Sequence, residues 1–309
     1  MTYRVIQWAS GKVGSRAVKA VLEHPDLELV GLYVYSAEKI GKDIGEICGL
    51  DPIGINAVGD RQAILDMQAD CVLYMPDQRY CNFDDVCAIL SSGKNIVATL
   101  NEFFYPKMLD SETYARVEAA AQAGKASIYA TGSSPGFITE ALPLVLTSMT
   151  CRLDRLFIDE YADLSHSDLS PEMLFGVMGY GKGPEMFQVD SPLVQFAGVG
   201  FCQSLRLLAD HWGTPLQRID GSAECALATK DIEIAGGIVP AGTVAALRLA
   251  WTGYAGDQPL LRMRVNWFCS KDIDADWDLR DTGWRVELAG DAPMSVDIAF
   301  PVPLEELGK

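Results

Sequence analysis

Histidine is nearly absent from this 309-residue chain, which has only His24, His166 and His211. None stands at metal-ligand spacing from another or from a cysteine, which speaks against a metal site such as zinc. The eight cysteines (48, 71, 81, 87, 151, 202, 225 and 269) show no CxxC or other paired spacing. That pattern reads as reduced, mostly buried thiols of a cytoplasmic protein rather than a disulfide framework. Positive charge is scarce: 25 Lys and Arg against 42 Asp and Glu leave a net charge of -17. Such a chain repels phosphate backbones and anionic lipid, so no nucleic-acid or membrane partner is expected. No apolar run reaches the length of a bilayer span. The N-terminus enters a strand-like Tyr3-Arg4-Val5-Ile6 without the cationic and apolar regions of a signal peptide. Repeats and low-complexity stretches are lacking too. What is left is an ordinary globular composition, 49% hydrophobic and 22% charged, long enough for two domains.

The pattern of short apolar runs divides the chain. Up to residue 137, candidate strands (Arg4–Trp8, Leu27–Tyr35, Asp70–Met75, Asn95–Ala98, Ser127–Ala130) alternate with helical stretches (Lys12–Glu23, Arg61–Met67, Phe83–Ser91, Ser111–Ala123). This βαβα alternation predicts a doubly wound parallel sheet of Rossmann type. Past 150, strand-like segments at 154–164, 222–234, 243–254, 260–271 and 283–288 follow one another across Gly/Pro turns, with one long apolar helix over Pro192–Trp212. That order predicts an α+β domain on an open, mostly antiparallel sheet. The change of pattern falls at 138–152, and the domains are read as 1–140 and 141–309.

The first strand runs into Ala9-Ser10-Gly11-Lys12-Val13-Gly14 and then a helix, a GxGxxG turn with Ala in the first place. Gly11 lets backbone approach a pyrophosphate, Gly14 allows close helix–strand packing, and the helix N-terminus favours the anion. A nicotinamide dinucleotide is therefore expected on residues 9–14. NAD-selective sites carry an acidic residue at the tip of the second strand. Here that position holds Ser36, with Lys39 nearby, which favours NADP(H). Glu38 could also reach the ribose, so NAD(H) stays open.

The fourth strand delivers Asn101-Glu102-Phe103-Phe104-Tyr105-Pro106 to the edge where such sheets bind ligands. A carboxylate followed by three aromatics suits general acid–base chemistry, because desolvation raises a carboxyl pKa. A helix-capping or ion-pairing role for Glu102 reads equally well from position alone. The fifth strand delivers Thr131-Gly132-Ser133-Ser134-Pro135-Gly136-Phe137, whose backbone and hydroxyls are candidates to line the nicotinamide pocket.

These segments, with Gln7-Trp8, His24-Pro25-Asp26-Leu27-Glu28-Leu29-Val30-Gly31, Asp159-Glu160-Tyr161-Ala162-Asp163-Leu164 and Ser170-Pro171-Glu172-Met173, resemble the dihydrodipicolinate reductase-like oxidoreductases. Within them the sequence is most similar to the branch of 2,4-diaminopentanoate dehydrogenase and the NAD(P)H-dependent amine dehydrogenases. The resemblance implies reversible reductive amination, with Glu102 as the matching key glutamate that orients and deprotonates ammonia. The first fingerprint glycine is replaced by Ala9. The His/Lys-rich loop of true dihydrodipicolinate reductases is missing, which argues against that reaction. Many members of the family continue beyond the point where this sequence stops, at Leu307-Gly308-Lys309. A shortened terminus or a different closure of the second domain is therefore expected.

The cofactor set is thus Ala9, Ser10, Gly11, Lys12, Val13, Gly14, Ser36, Lys39, Asn101, Ser134 and Pro135. The substrate pocket is read as Phe103, Phe137, Tyr161, His166, Phe175 and Met178, with Phe104, Tyr180 and Phe187 as further wall candidates. Each of these taken alone reads more readily as core than as ligand-contacting, and His166 reads also as an exposed loop residue. No Arg or Lys clamp stands in these loops, so a hydrophobic ketone, aldehyde or amine fits better than a carboxylate. The active site is expected in the cleft between the domains. A homodimer through the open sheet is expected from the need to bury an uncovered sheet face. The rival readings are a ketone or alcohol reductase of the same fold that needs no ammonia, and a non-catalytic NADP(H)-binding sensor.

Overall fold

The computed structural model describes residues 1–77 and 80–300, so the terminal Leu307-Gly308-Lys309 lies outside the described residues. The chain divides into two compact units, Met1–Gly132 and Ser133–Lys309.

The first unit alternates strand and helix: β1 (Tyr3–Trp8), α1 (Lys12–Glu23), β2 (Leu27–Tyr33), α2 (Ile44–Ile47), α3 (Arg61–Asp66), β3 (Cys71–Tyr74), α4 (Phe83–Ser91), β4 (Asn95–Ala98), α5 (Ser111–Gly124) and β5 (Ile128–Ala130). The strands are parallel in the order β2-β1-β3-β4-β5. The order reverses at β1, and the crevice at its carboxyl end is where such sheets take ligands. Alternation along β1 feeds both faces. Val5 packs with Val18, Val21 and Leu29, while Ile6 and Trp8 pack with Ile64, Val86 and Ile89. The sequence placed the second strand's end at Tyr35; its ladder stops at Tyr33, and only a single bridge from Tyr33 to Val58 extends the pairing. The short α2 was not anticipated, because four residues carry no helical period.

The second unit contains α6 (Leu142–Thr147), β6 (Leu153–Asp163), α7 (Pro192–His211), β7 (Arg218–Leu227), β8 (Ile232–Ile234), β9 (Gly237–Val239), β10 (Val244–Ala255), β11 (Gln258–Phe268), β12 (Gly283–Gly290) and β13 (Met294–Ala299). Its six-stranded sheet runs β13-β12-β6-β11-β10-β7, antiparallel except for the β6–β11 pair. The segment 222–234 is not one strand: β7 ends at Leu227, and β8 pairs with β9 in a separate hairpin. β13 escaped the sequence reading because it is short, alternately exposed and at the sheet edge.

On one face of this sheet α7 lays Val194, Phe201, Leu205 and Leu208 against Ile158, Leu249, Met263, Val265 and Val286. The other face is charged over one part, and over another Tyr161, Phe268, Ala226 and Ala246 pack against Ile273, Ala275, Trp277 and Leu279. Its register sets Asp297, Arg285, Asp159 and Arg264 side by side across four strands. One residue-pair along lie Glu287 and Arg262, flanking Phe157. Asp159, 4% exposed, accepts from Arg262 at 3.1 Å and Arg264 at 2.6 Å. Arg248 bonds Asn266 at 2.8 Å and stacks on Trp277.

The thiols are mostly half-buried rather than buried: only Cys269 is fully enclosed, and Cys151 is exposed. Among the described residues, no helix is long and apolar enough to cross a membrane.

Replacing Asp159 by Ala leaves two largely desolvated guanidiniums without their shared carboxylate. Breaking such a buried arrangement costs about 3–5 kcal/mol. Denaturant unfolding of Asp159→Ala should show a loss of that order, and a loss under about 1 kcal/mol would refute the assignment.

Candidate functional site

The turn after β1 is built around one close approach. A Cβ at Gly14 would stand 2.2 Å from the Ala9 carbonyl oxygen and 3.0 Å from Gln7 Nε2. Only glycine lets α1 lie this near the strand. Gln7, fully buried, donates through Nε2 to the carbonyls of Trp8 (3.2 Å) and Ala9 (3.0 Å) and so fixes the turn from beneath. At Gly11 a Cβ would meet nothing within 4 Å. Among the described residues, the other four α-helices of this unit start on a side-chain cap from Asp43, Asp60, Asn82 or Asp110, but α1 starts on Gly11 with none. An open glycine face before an uncapped helix N-terminus fits a pyrophosphate. Lys12 and Val13 are exposed there. Ala9 has φ +74, the left-handed region that glycine occupies without strain and alanine does not.

At the end of β2 the two polar candidates part company. Lys39 Nζ donates to Ser10 Oγ (3.1 Å) and Ser10 O (3.3 Å), which brings a cation onto the glycine turn. Ser36 Oγ instead donates to Glu38 Oε1 at 3.1 Å. Beneath them the Trp8 indole donates to the Tyr35 hydroxyl at 2.9 Å, and Trp8 packs on Tyr33 with centroids 4.2 Å apart. Sequence reading overlooked Gln7 as a support; a polar residue inside an apolar strand just before the turn was its signal.

Glu102 lies on a 3₁₀ turn, Asn101–Phe103, directly after β4. Phe103 anchors that turn: it is 4% exposed and packs beside Phe83, so it belongs to the core of the first unit. Glu102 Oε2 is buried and has no hydrogen-bond partner. A buried polar atom left unpaired is costly, and a group of a bound ligand or an ordered water would satisfy it. The neighbouring Cys81 thiol is pushed up to about 11, chiefly by burial and then by the carboxylates of Glu102 and Asp85. The unpaired Oε2 is an acceptor open to an N–H or O–H of a bound group.

In the second unit, Ser134 Oγ is likewise buried and unpartnered. Phe137 is 54% exposed. Met178, Tyr180 and Phe187 are buried in one cluster with half-buried Phe175 against it. Tyr161 packs elsewhere, with Phe268, Ala226 and Ala246. His166 is exposed. A hollow lined by Thr147, Thr150, Arg152, Trp212 and Leu260 contains none of the candidate residues.

Residues 5–81 match the family model of the dihydrodipicolinate reductase N-terminus. An amine dehydrogenase of Streptomyces virginiae is 28% identical over 310 residues, covering 95% of this chain and 84% of that protein. The chain resembles the amine dehydrogenases of the dihydrodipicolinate reductase-like oxidoreductases. A 2,4-diaminopentanoate dehydrogenase of Acetoanaerobium sticklandii is 24% identical over 268 residues, 84% of this chain and 74% of its own length. Among solved structures, the amine dehydrogenase from Mycobacterium smegmatis superposes with a TM-score of 0.75 at 16% identity, over 97% of this chain and 88% of that one. This last likeness is one of fold, and it extends over both the parallel and the mixed sheet.

The turn gives a paired prediction. Gly14→Ala forces α1 off β1, and overpacking of this kind costs about 1–3 kcal/mol. Titration should then show NADPH binding weakened at least tenfold. Ala9→Gly relieves left-handed strain but loosens the unfolded chain, so stability should hold or rise by up to about 1 kcal/mol with binding intact. Unimpaired binding in Gly14→Ala would remove this turn from the cofactor site.

Proposed function

We propose that this chain is an NAD(P)(H)-dependent oxidoreductase that interconverts a hydrophobic ketone or aldehyde plus ammonia with the corresponding amine. The observation that carries the reading is the buried, unpartnered Oε2 of Glu102 at the carboxyl end of β4. The whole-chain resemblance to amine dehydrogenases supports it.

In this reading the first-turn amides of α1, with Ser10, Gly11, Lys12, Val13 and Gly14, hold the pyrophosphate, and Asn101, Ser134 and Pro135 address the nicotinamide end. The bound cofactor supplies or accepts a hydride. Glu102 accepts a proton from ammonium and returns it to the carbonyl oxygen as the nitrogen adds to the carbonyl carbon. It then takes a second proton from the added nitrogen and passes it to the resulting hydroxyl, so that water leaves and an iminium forms. Its anionic form then stabilises that cation electrostatically. Overall, ketone, ammonia, NAD(P)H and a proton give amine, water and NAD(P)+.

NADP(H) is the preferred cofactor in this proposal. Lys39, held on Ser10 at the glycine turn, supplies the cation that a 2′-phosphate requires. Glu38 beside Ser36 keeps NAD(H) usable. The chain acts in the cytoplasm as a homodimer through the face of the six-stranded sheet that α7 leaves uncovered. Alternating charges on that face can pair across a twofold axis, and light scattering should return twice the monomer mass.

One panel tests the reading: hydrophobic ketones and aldehydes with NADPH and NADH, with and without ammonium, on wild type, Glu102→Ala and Lys39→Ala. Ammonium should be required. Glu102→Ala should lower kcat/KM by about 100-fold or more, the usual contribution of a general acid–base. Lys39→Ala should weaken NADPH about tenfold, the worth of a charge-assisted bond, and leave NADH unchanged. Turnover without ammonium would make the chain a ketone reductase, and binding without turnover a sensor.

A further inference from the structure

Glu140 is a buried carboxylate of the second unit that neither the proposed chemistry nor, among the described residues, an ion pair uses. It is 8% exposed and sits in the π-helical turn Phe137–Ala141 directly after the Ser133–Gly136 loop. One oxygen, Oε2, accepts from the Gly136 backbone N–H at 2.6 Å and from the Thr139 hydroxyl. The other accepts from Ser204 Oγ on α7, itself 1% exposed. Gly136 has φ +128, a conformation that glycine adopts and L side chains avoid. Both of its peptide groups are committed: the N–H to Glu140 and Thr139, the carbonyl to the N–H groups of Glu140 and Ala141. A bridge from Ser133 to Gly136 and a bond from Ile138 N–H to Ser133 O close the loop from the other side. Ser134 and Pro135 are the two residues caught between these ties.

We propose that Glu140 is a positioning residue that holds the Ser133–Gly136 loop in the shape that receives the nicotinamide end of the cofactor. The inference rests on the cofactor role proposed above for Ser134 and Pro135. A carboxylate is a costly way to pin a loop. Burial pushes Glu140 above the usual carboxylate range, and the bonds from Ser204, Thr139 and Gly136 pull back against that. A raised carboxyl favours the fold below its ordinary pKa and loses that benefit as the pH rises through its folded value. Above that value the ionised group is a stability cost. What the charge supplies is a short, strong bond to one backbone N–H at the loop's strained glycine. A glutamine could fill the same space with its carbonyl toward Gly136 and its amide toward Ser204, whose hydroxyl turns to the Gly200 carbonyl 3.2 Å away.

The test uses the full-length chain and measures the binding of NADPH and of 2′,5′-ADP, which lacks the nicotinamide half. Glu140→Gln should unfold at or above the wild-type temperature at pH 8, bind 2′,5′-ADP as wild type does, and bind NADPH about tenfold more weakly. Ser204→Ala, which keeps the carboxylate but drops one donor, should weaken NADPH about threefold by the same selective pattern, and it serves if Glu140→Gln does not fold. Equal NADPH binding in wild type and Glu140→Gln overturns the proposal. So does parallel weakening of NADPH and 2′,5′-ADP, the mark of a merely structural role. Wild-type protein that binds neither ligand would instead sink the cofactor reading itself, and that result is seen before any variant is made.

Discussion

Everything proposed for the first unit depends on the distance between α1 and the end of β1. The gap at Gly14 is too small for one methyl group, because the Ala9 carbonyl lies where a Cβ would have to go. That proximity aims the helix dipole at the mouth of the turn, opens the Gly11 face and brings Ser10 within reach of Lys39. Gln7 holds the arrangement by donating to two successive carbonyls from a site with no solvent. The strain at Ala9 is tolerable because packing on either side leaves the backbone no other course.

The candidate chemistry separates into two layers of support. Groups that would meet ligand, Glu102 and Ser134, each keep one oxygen buried and unpaired. The groups behind them are held: Phe103 is packed on Phe83, Gln7 donates twice through its Nε2 although its Oε1 is unpaired, and Glu140 has three donors. Rigid backing under unsatisfied acceptors is the arrangement that pre-organises a site for a bound group. The two layers also differ in what they risk, since a lost backing bond shifts a loop whereas a lost front oxygen removes a proton acceptor.

Much of this was legible in the sequence. The turn at 9–14 follows from a spacing whose physical reasons are local, and the strands of the parallel sheet are short apolar runs that strand burial on two faces requires. α7 is periodic over 20 residues and was read nearly to its ends. Less legible were features set by residues distant in sequence. Ser204 meets Glu140 across 64 positions, and Asp159 meets Arg262 and Arg264 across 103 and 105. No periodicity announces such pairs. The aromatic residues illustrate the same limit, because Tyr161 and Met178 resemble pocket linings in sequence and their burial among Phe268 and Tyr180 depends on packing.

The charged face of the six-stranded sheet has a thermal consequence. Hydration holds separated ions less firmly as temperature rises, so the penalty for setting Arg262, Arg264 and Asp159 against one another shrinks on heating. Apolar burial beneath α7 does not gain in the same way. The two faces of one sheet should therefore respond oppositely to their surroundings. Warmth favours the ionic face relative to the greasy one, and added salt reverses the order by screening the outer charges of Arg285, Glu287 and Asp297.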